Sequence, residues 1–343
     1  MNRTLSTSRA DAAAVPEALR MRLGREVWAA PLLIGVSGGA DSVALLLGLV
    51  AVAPPGSRIV VAHAEHDLRP AAGTDREFVA ALAERLGLPF TWRQLAVREP
   101  DQGGGEGFEA RARRLRYGFL EQAACDRAAR HVLVAHTADD QAETILHRML
   151  RGTGPAGLAG MRHARELCPG VALLRPLLGV TRADVREFLR GQAATWRDDE
   201  SNDDIRHARN FLRHEILARC AAGPYPAAAA ALVRLGEQAG RLARALRSAA
   251  ERVLDAHATL ATDGSITLPV ELLRSLDSHL VAEMFAALWE REGWPRRDMT
   301  AGHYQRLAAL CRHPDPPPCR LADYPGGVRI GRGSSTITVG RRA

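Results

Sequence analysis

The chain has 343 residues, 46% of them apolar and 25% charged, so it is long enough to bury two cores and carries none of the compositional marks of disorder. Its formal charge is +7 and all 46 of its Lys+Arg cations are arginine, which excludes a GxxxxGK[ST] phosphate loop, a Schiff base and a lysine nucleophile. Five cysteines (Cys125, Cys168, Cys220, Cys311, Cys319) have no CxxC spacing, which argues against a disulfide framework, a zinc ribbon or a sulfur-cluster cradle and suits a reducing cytoplasm.

Short apolar runs alternate with helical patterns through the first two hundred residues, the pattern of an α/β domain with a parallel sheet covered by helices. Strands are expected at 32–36, 58–64, 90–97, 131–136 and 171–175. The longest apolar run, Val43 to Ala53, is too short to span a bilayer and reads as a buried helix, so no membrane association is expected.

The first strand runs into Val36-Ser37-Gly38-Gly39-Ala40-Asp41-Ser42 and then straight into an apolar helix. Two adjacent glycines let an anionic oxygen approach the backbone, and the new helix supplies unpaired N–H groups and a positive dipole end. That combination is a phosphate cradle. The carboxylate of Asp41 is out of place there unless a divalent cation or a cationic substrate stands between it and the phosphate.

After the second strand, Thr74 and Glu77 have the spacing of a capping box, Phe78, Leu82 and Leu86 repeat every four residues, and Gly87 ends the helix. The glycine-rich stretch 101–107 then leads into an apolar stripe of Phe108, Ala112, Leu115 and Phe119, with Arg113 and Arg116 on one flank and Arg111 and Arg114 on the other. Guanidinium forks of that kind suit phosphates, although a solvated basic face accounts for the spacing slightly better.

His136 to Glu143 opens the helix after the fourth strand and places Asp140, Glu143 and His147 on one face, with Ile145, Leu146 and Met149 on the other. Acids in a first turn can simply complement the helix dipole; beside a phosphate cradle they can also hold Mg²⁺ or a cationic substrate. Ser37, His63 and His136 all fall at carboxyl ends of strands, where open α/β sheets bind ligands. A third polar cluster, Asp198 to Asn202 with Arg209 to His214, precedes the breaker Gly223-Pro224-Tyr225-Pro226.

That breaker divides the chain into an expected catalytic domain, 1–222, and a smaller, mainly helical domain with short strands, 223–343. Leu232, Leu235, Leu242, Leu246 and Val253 mark a long amphipathic helix at its start. Packing within its own domain is the expected use of that stripe, with a homodimer seam as the alternative.

Ser37 to Ser42 matches the SGGxDS signature of the PP-loop ATP pyrophosphatases, and several other segments resemble the tRNA(Ile)-lysidine synthetases within that group: His136 to Gly160, Arg113 to Tyr117, Arg175 to Val180, and Ser201-Asn202 with Arg209-Asn210. The resemblance spans about residues 20 to 220. It implies an adenine-nucleotide α-hydrolase-like fold and a ligase that uses ATP and Mg²⁺ to join free L-lysine to C2 of the wobble cytidine of a CAU-anticodon tRNA(Ile), through an adenylated cytidine. Carried over by position, Ser37, Gly38, Gly39, Ala40, Asp41, Ser42 and His63 would bind the nucleotide, Asp41 and Asp140 the metal. Asp41, Arg113, Asp140, Glu143 and Arg209 would carry catalysis, with Asp140 and Glu143 also facing the cationic lysine.

Two positions depart from the family pattern: Asp67 replaces a turn glycine and Glu200 a common proline. The competing readings are a PP-loop tRNA thiolase, which commonly needs cysteine pairs, and a tRNA-binding protein without catalysis.

Overall fold

The computed structural model describes residues 13–66, 72–97, 107–197, 208–296, 298–312 and 320–341. Asp67, the 101–106 part of the glycine-rich stretch, the Asp198 to Asn202 cluster with Glu200, and the 314–318 proline run lie outside the described residues. The chain divides into two compact units, Met1–Arg151 with Gly160–Leu235, and Gly152–Ala159 with Gly236–Ala343.

In the first unit, α1 (Ala14–Arg22) precedes β1 (Leu32–Gly35), α2 (Ala40–Val52), β2 (Ile59–His66), α3 (Ala72–Arg85), β3 (Phe90–Leu95), α4 (Phe108–Asp126), β4 (His131–Leu133) and α5 (Ala138–Leu150). The short α6 (Pro155–Leu158) belongs to the second unit, and the first resumes with β5 (Ala164–Cys168), β6 (Val171–Leu174), α7 (Arg182–Gly191), α8 (Ala208–Phe211), a π-helical turn (Leu212–Leu217) and α9 (Ala218–Ala222). The sheet order is β3-β2-β1-β4-β6-β5, parallel except for β5. All five expected strands are present. β5 carries no sequence signal because Ala164 stands at an exposed position and Arg165 at a half-buried one, so neither alternation nor an apolar run marks it.

Leu32, Leu33 and Ile34 are wholly buried, as a central parallel strand covered on both faces requires. Helix α2 buries Val43, Leu45, Leu46 and Leu49 beneath the sheet, each worth about 2 kcal/mol of apolar burial. Gly48 is the point at which α1 crosses α2: a Cβ there would lie 2.6 Å from Val15 Cγ1.

Several helix details differ from the sequence reading. Helix α3 starts at Ala72, so Thr74 lies inside it and accepts from Arg197 instead of capping. Gly87 does end it, at φ +66. Phe108 and Met149, assigned to apolar stripes, are about half exposed; Phe119, Leu120 and Ala124 carry the α4 contact, and Ala142 and Ile145 that of α5. Helix α4 lies across one face of the sheet, against β1 to β5, and Phe108 is its first residue, so the stripe is buried only in its C-terminal half.

In the second unit, α10 (Ala228–His257) leads to β7 (Thr259–Leu260), β8 (Ile266–Pro269), α11 (Val270–Ser275), α12 (Ser278–Arg291), α13 (Ala301–Arg312), β9 (Arg320–Tyr324), β10 (Val328–Arg332) and β11 (Thr336–Arg341). Its antiparallel sheet has the order β7-β8-β11-β10-β9. Trp289 anchors the core, edge-on to Trp294 at 5.0 Å and to Tyr304 at 6.0 Å. On α10 the buried positions are Gly236, Ala239, Gly240, Ala250 and Leu254, whereas Leu235 and Leu242 are exposed. Small residues permit close approach, and a Cβ at Gly240 would come 3.3 Å from that of Ala159. A count of leucines does not see that kind of packing.

Candidate active site

The cradle forms because Ser42, one turn into α2, folds its hydroxyl back over the loop. Ser42 Oγ accepts from the N–H groups of Ser37 and Gly38, both at 3.2 Å, and donates to the Gly39 carbonyl at 2.9 Å. Gly38 sits at φ +97, a conformation a side chain resists. Gly39 is the residue before the helix, so the first N–H groups of α2, from Ala40 onward, point out of the loop toward whatever anion occupies it. Arg197 brackets the loop from outside: its N–H donates to Gly38 O at 3.0 Å and its side chain to Asp75 at 3.1 Å.

His63 is buried and spends Nδ1 on the Val36 carbonyl at 2.9 Å, one residue before Ser37. Burial pushes its pKa down, which favours the neutral ring. Its visible work is to fix the strand end from which the cradle springs.

Four carboxylates gather next to the loop: Asp41 from α2, and Asp139, Asp140 and Glu143 from α5. The start of α5 is set by Thr137, which forms a capping box with Asp140. Asp140 Oδ2 accepts from Thr137 N at 2.8 Å, so the bland reading of this acid as a helix cap holds for one of its oxygens. Oδ1 accepts from Arg182 at 2.6 Å. Glu143, almost fully buried, accepts at Oε1 from Arg182 (2.9 Å) and Arg213 (2.7 Å), and at Oε2 from Arg213 (3.3 Å). Arg182 Nε lies 3.6 Å from Asp41, and its backbone N–H donates to Asp139 at 2.8 Å.

The acidic pole therefore counts four negative charges against the two guanidiniums of Arg182 and Arg213, a surplus of two. Its electrostatics reflect the crowding. Burial, with Asp140 and Asp139 adding to it, pushes Asp41 up to about 6 in spite of Arg182. For Asp140 burial also pushes upward, but Arg182 and Thr137 outweigh it and hold the carboxyl below its usual range. Burial works against the charge on Arg182, yet Asp140, Glu143 and Asp41 overcome it and raise the guanidinium above its usual range.

A basic pole stands beside it. Arg113, Arg116 and Arg165 lie 4.9, 5.5 and 5.0 Å from the centre of the Tyr117 ring. Burial alone would raise the Tyr117 phenol; Arg113, Arg116 and Arg175 hold it down. Arg209 and Arg113 both act on Arg148, so these cations share one neighbourhood.

His136 stands between the poles. Burial, with Arg175, Arg116 and Arg113 in support, drops its pKa to about 3 against the pull of Asp140. Its Nδ1 is buried with no partner among the described residues. Gln141 pins the next loop, donating to Met161 O at 3.1 Å and accepting from Met161 N at 2.7 Å.

The structure brings Asp41, Asp140 and Glu143 together, and sets Arg113 and Arg209 around Arg148. Sequence reasoning missed Arg182, whose only signal was a position just after the Arg175 to Val180 segment, and gave Arg213 no separate role. It also did not foresee that Glu143 would be clasped by two guanidiniums. A cleft of about 1020 Å³ lies at the opposite, amino-terminal ends of the strands, lined by Pro31, Arg58, Arg127, His131 and Val171 among others. It is remote from this chemistry.

For Mg²⁺, Asp41 and Asp140 supply hard oxygen donors of the type that ion takes, one or two carboxylates completed by phosphates and water. Among the described residues no three or more His, Cys, Asp or Glu side chains are arranged so that they could hold a metal ion between them, and no helix is long and apolar enough to cross a membrane.

The profile of the PP-loop domain family matches residues 18–220. A tRNA(Ile)-lysidine synthase of Rhodopirellula baltica is 34% identical over 312 residues, covering 81% of this chain and 78% of that protein. The corresponding protein of Thermus thermophilus is 44% identical over 220 residues, covering 64% of this chain and 41% of its own length. Among solved structures, a U34-tRNA thiolase of Methanococcus maripaludis with a [4Fe-4S] cluster aligns with a TM-score of 0.56 at 14% identity, over 67% of this chain and 79% of that one, a likeness of fold.

Proposed function

The chain belongs to the tRNA(Ile)-lysidine synthase family, a family of ligases, and on that premise we propose that it joins free L-lysine to the wobble cytidine of a CAU-anticodon tRNA(Ile) at the expense of ATP. One observation carries the reading: an acidic pole with two unneutralised charges lies between a phosphate cradle and a cluster of arginines. A reaction that brings together a triphosphate, a polyanionic RNA and a diamine needs one place for phosphates and another for an ammonium.

The cradle of Ser37, Gly38, Gly39, Ala40 and Ser42 takes the pyrophosphate portion of ATP, the N–H groups of Ala40 and Asp41 at the start of α2 donating to it while Ser42 Oγ holds the loop in shape, and Asp41 faces it. His63 supports the loop from behind. Asp41 and Asp140 would hold Mg²⁺, which when bound offsets phosphate charge. Arg113 and Arg209 oppose the charge that develops as cytidine O2 attacks the α-phosphate and pyrophosphate departs. Activation splits a hard substitution into two steps, since AMP leaves from C2 far more readily than oxide would.

Lysine then enters on the acidic side. Asp140 accepts the ammonium, Glu143 acts by orienting Arg182 and Arg213, and the neutral His136, with its unclaimed nitrogen, accepts a hydrogen bond from the incoming amine or the base. The C-terminal unit contributes to tRNA binding, and a homodimer is a further expectation.

The test is direct. The purified chain is incubated with a CAU-anticodon tRNA(Ile) transcript, ATP, Mg²⁺ and radiolabelled lysine, and label retained on the RNA is measured alongside AMP and pyrophosphate. Pyrophosphate release without lysine transfer would remove the ligase reading, and sulfur transfer instead would favour the thiolase. The five cysteines and their spacing give no support to that rival.

A further inference from the structure

Arg182 touches every carboxylate of the acidic pole. Its backbone N–H holds Asp139 at 2.8 Å, and its guanidinium reaches Asp140 at 2.6 Å, Glu143 at 2.9 Å and Asp41 at 3.6 Å. Asp41 belongs to the phosphate loop, whereas Asp140 and Glu143 belong to α5. One planar group therefore ties the nucleotide side of the site to the amino-acid side.

The remaining oxygens of these acids are also committed. Asp140 Oδ2 is occupied by the Thr137 cap and Glu143 Oε2 by Arg213. Among the described residues Asp140 Oδ1 accepts from Arg182 alone and Glu143 Oε2 from Arg213 alone; each keeps a second lone pair, so an ammonium can still be accepted. It meets acceptors whose directions are already fixed, and binding then costs little reorganisation.

We propose that Arg182 is a positioning residue for the amino-acid half of the reaction: a tethered guanidinium that sets Asp140 and Glu143 as one rigid receptor for an incoming ammonium. Without it, the carboxylates repel one another and turn apart. The pole would then be more negative but less ordered, and the order matters more, because the surplus charge is already sufficient for one ammonium. This inference rests on the reading of the acidic pole as the lysine site.

Side-chain replacement is a clean probe, because the Arg182 N–H to Asp139 contact and the Thr181 cap of α7 survive it. The experiment compares wild type, Arg182→Gln and Arg182→Lys in three readouts: tRNA-dependent pyrophosphate release without lysine, KM for lysine and for ATP in the full reaction, and lysine affinity by calorimetry. In Arg182→Gln, KM and Kd for lysine should rise about tenfold or more, and KM for ATP by a clearly smaller factor, as loss of one charge-assisted contact set predicts. Arg182→Lys should fall between, since an ammonium reaches one carboxylate where the guanidinium reaches three.

Lysine affinity that is unchanged or tighter in Arg182→Gln overturns the proposal, as does an equal loss in pyrophosphate release and lysine transfer, the mark of a structural role. If Arg182→Gln does not fold, Arg182→Lys decides alone by the ratio of its lysine and ATP effects. A wild-type chain that releases pyrophosphate but neither binds nor transfers lysine removes the reading on which the inference stands, an outcome distinct from failure of the Arg182 variants.

Discussion

Alanine at Gly39 and alanine at Gly38 should separate phosphate binding from folding. Gly39 has φ −73, and a Cβ there would stand 3.6 Å from Ser37 Oγ and 3.8 Å from the Arg197 carbonyl, ordinary contacts. The only folding cost is a poorer helix cap, about 0.5–1 kcal/mol, or about 1–4 °C in Tm. The methyl group nevertheless enters the cradle, and an anion forced back from even one N–H loses about 1.5–3 kcal/mol, roughly 10- to 100-fold in affinity. Gly38 is the converse. A Cβ there has room, 3.5 Å from Val79, but φ +97 costs a non-glycine residue about 1–2 kcal/mol before any ligand is present. Differential scanning fluorimetry and ATP titration calorimetry on both variants give the comparison. Gly39→Ala that binds ATP within about threefold of wild type would show that the loop is not the phosphate site.

Glu143→Gln should lower stability by about 3 kcal/mol, since it strips a buried carboxylate from two guanidiniums, and should weaken lysine binding more than ATP binding; a Tm within about 2 °C of wild type would contradict the burial argument. His136 has a folded pKa of about 3 against 6.5 unfolded, so the unfolded chain binds the extra proton between those values. The stability it contributes is complete above pH 6.5 and is lost as pH falls toward about 3. His136→Gln should flatten the acid arm of a Tm–pH curve, and an unchanged slope would refute the assignment. Arg113→Ala should weaken tRNA binding and reduce the slope of log K against log salt by about 1, measured by fluorescence anisotropy; an unaltered slope would place Arg113 off the phosphate path.

The parallel sheet and the cradle were legible because both rest on local signals, an apolar run of strand length and two glycines before a helix. Long-range partnerships were not. Asp140 and Glu143 are three residues apart and could be read together, whereas the guanidinium that organises them comes from Arg182, about forty positions later, and nothing in the local spacing marks it. The edge strand β5 escaped because its exposed and half-buried positions alternate while its residues do not, with Ala164 outward and Arg165 inward. The misassigned stripes have a related cause: Leu242 is exposed while Gly240 is buried, because a close helix contact selects for small size.

The π-helical turn at Leu212–Leu217 gives the last helix of the site an irregular phase. Arg209 and Arg213 are four residues apart, and in a regular helix they would project together. Here one acts on Arg148 and the other clasps Glu143. A turn with a residue more than the α-helical period allots opposite electrical duties to two identical side chains on one short segment. Sequence length at this point is thus itself functional information: removing Leu212 alone would delete no charge, yet it would shift Arg213 by one position against Arg209 and turn its guanidinium away from Glu143.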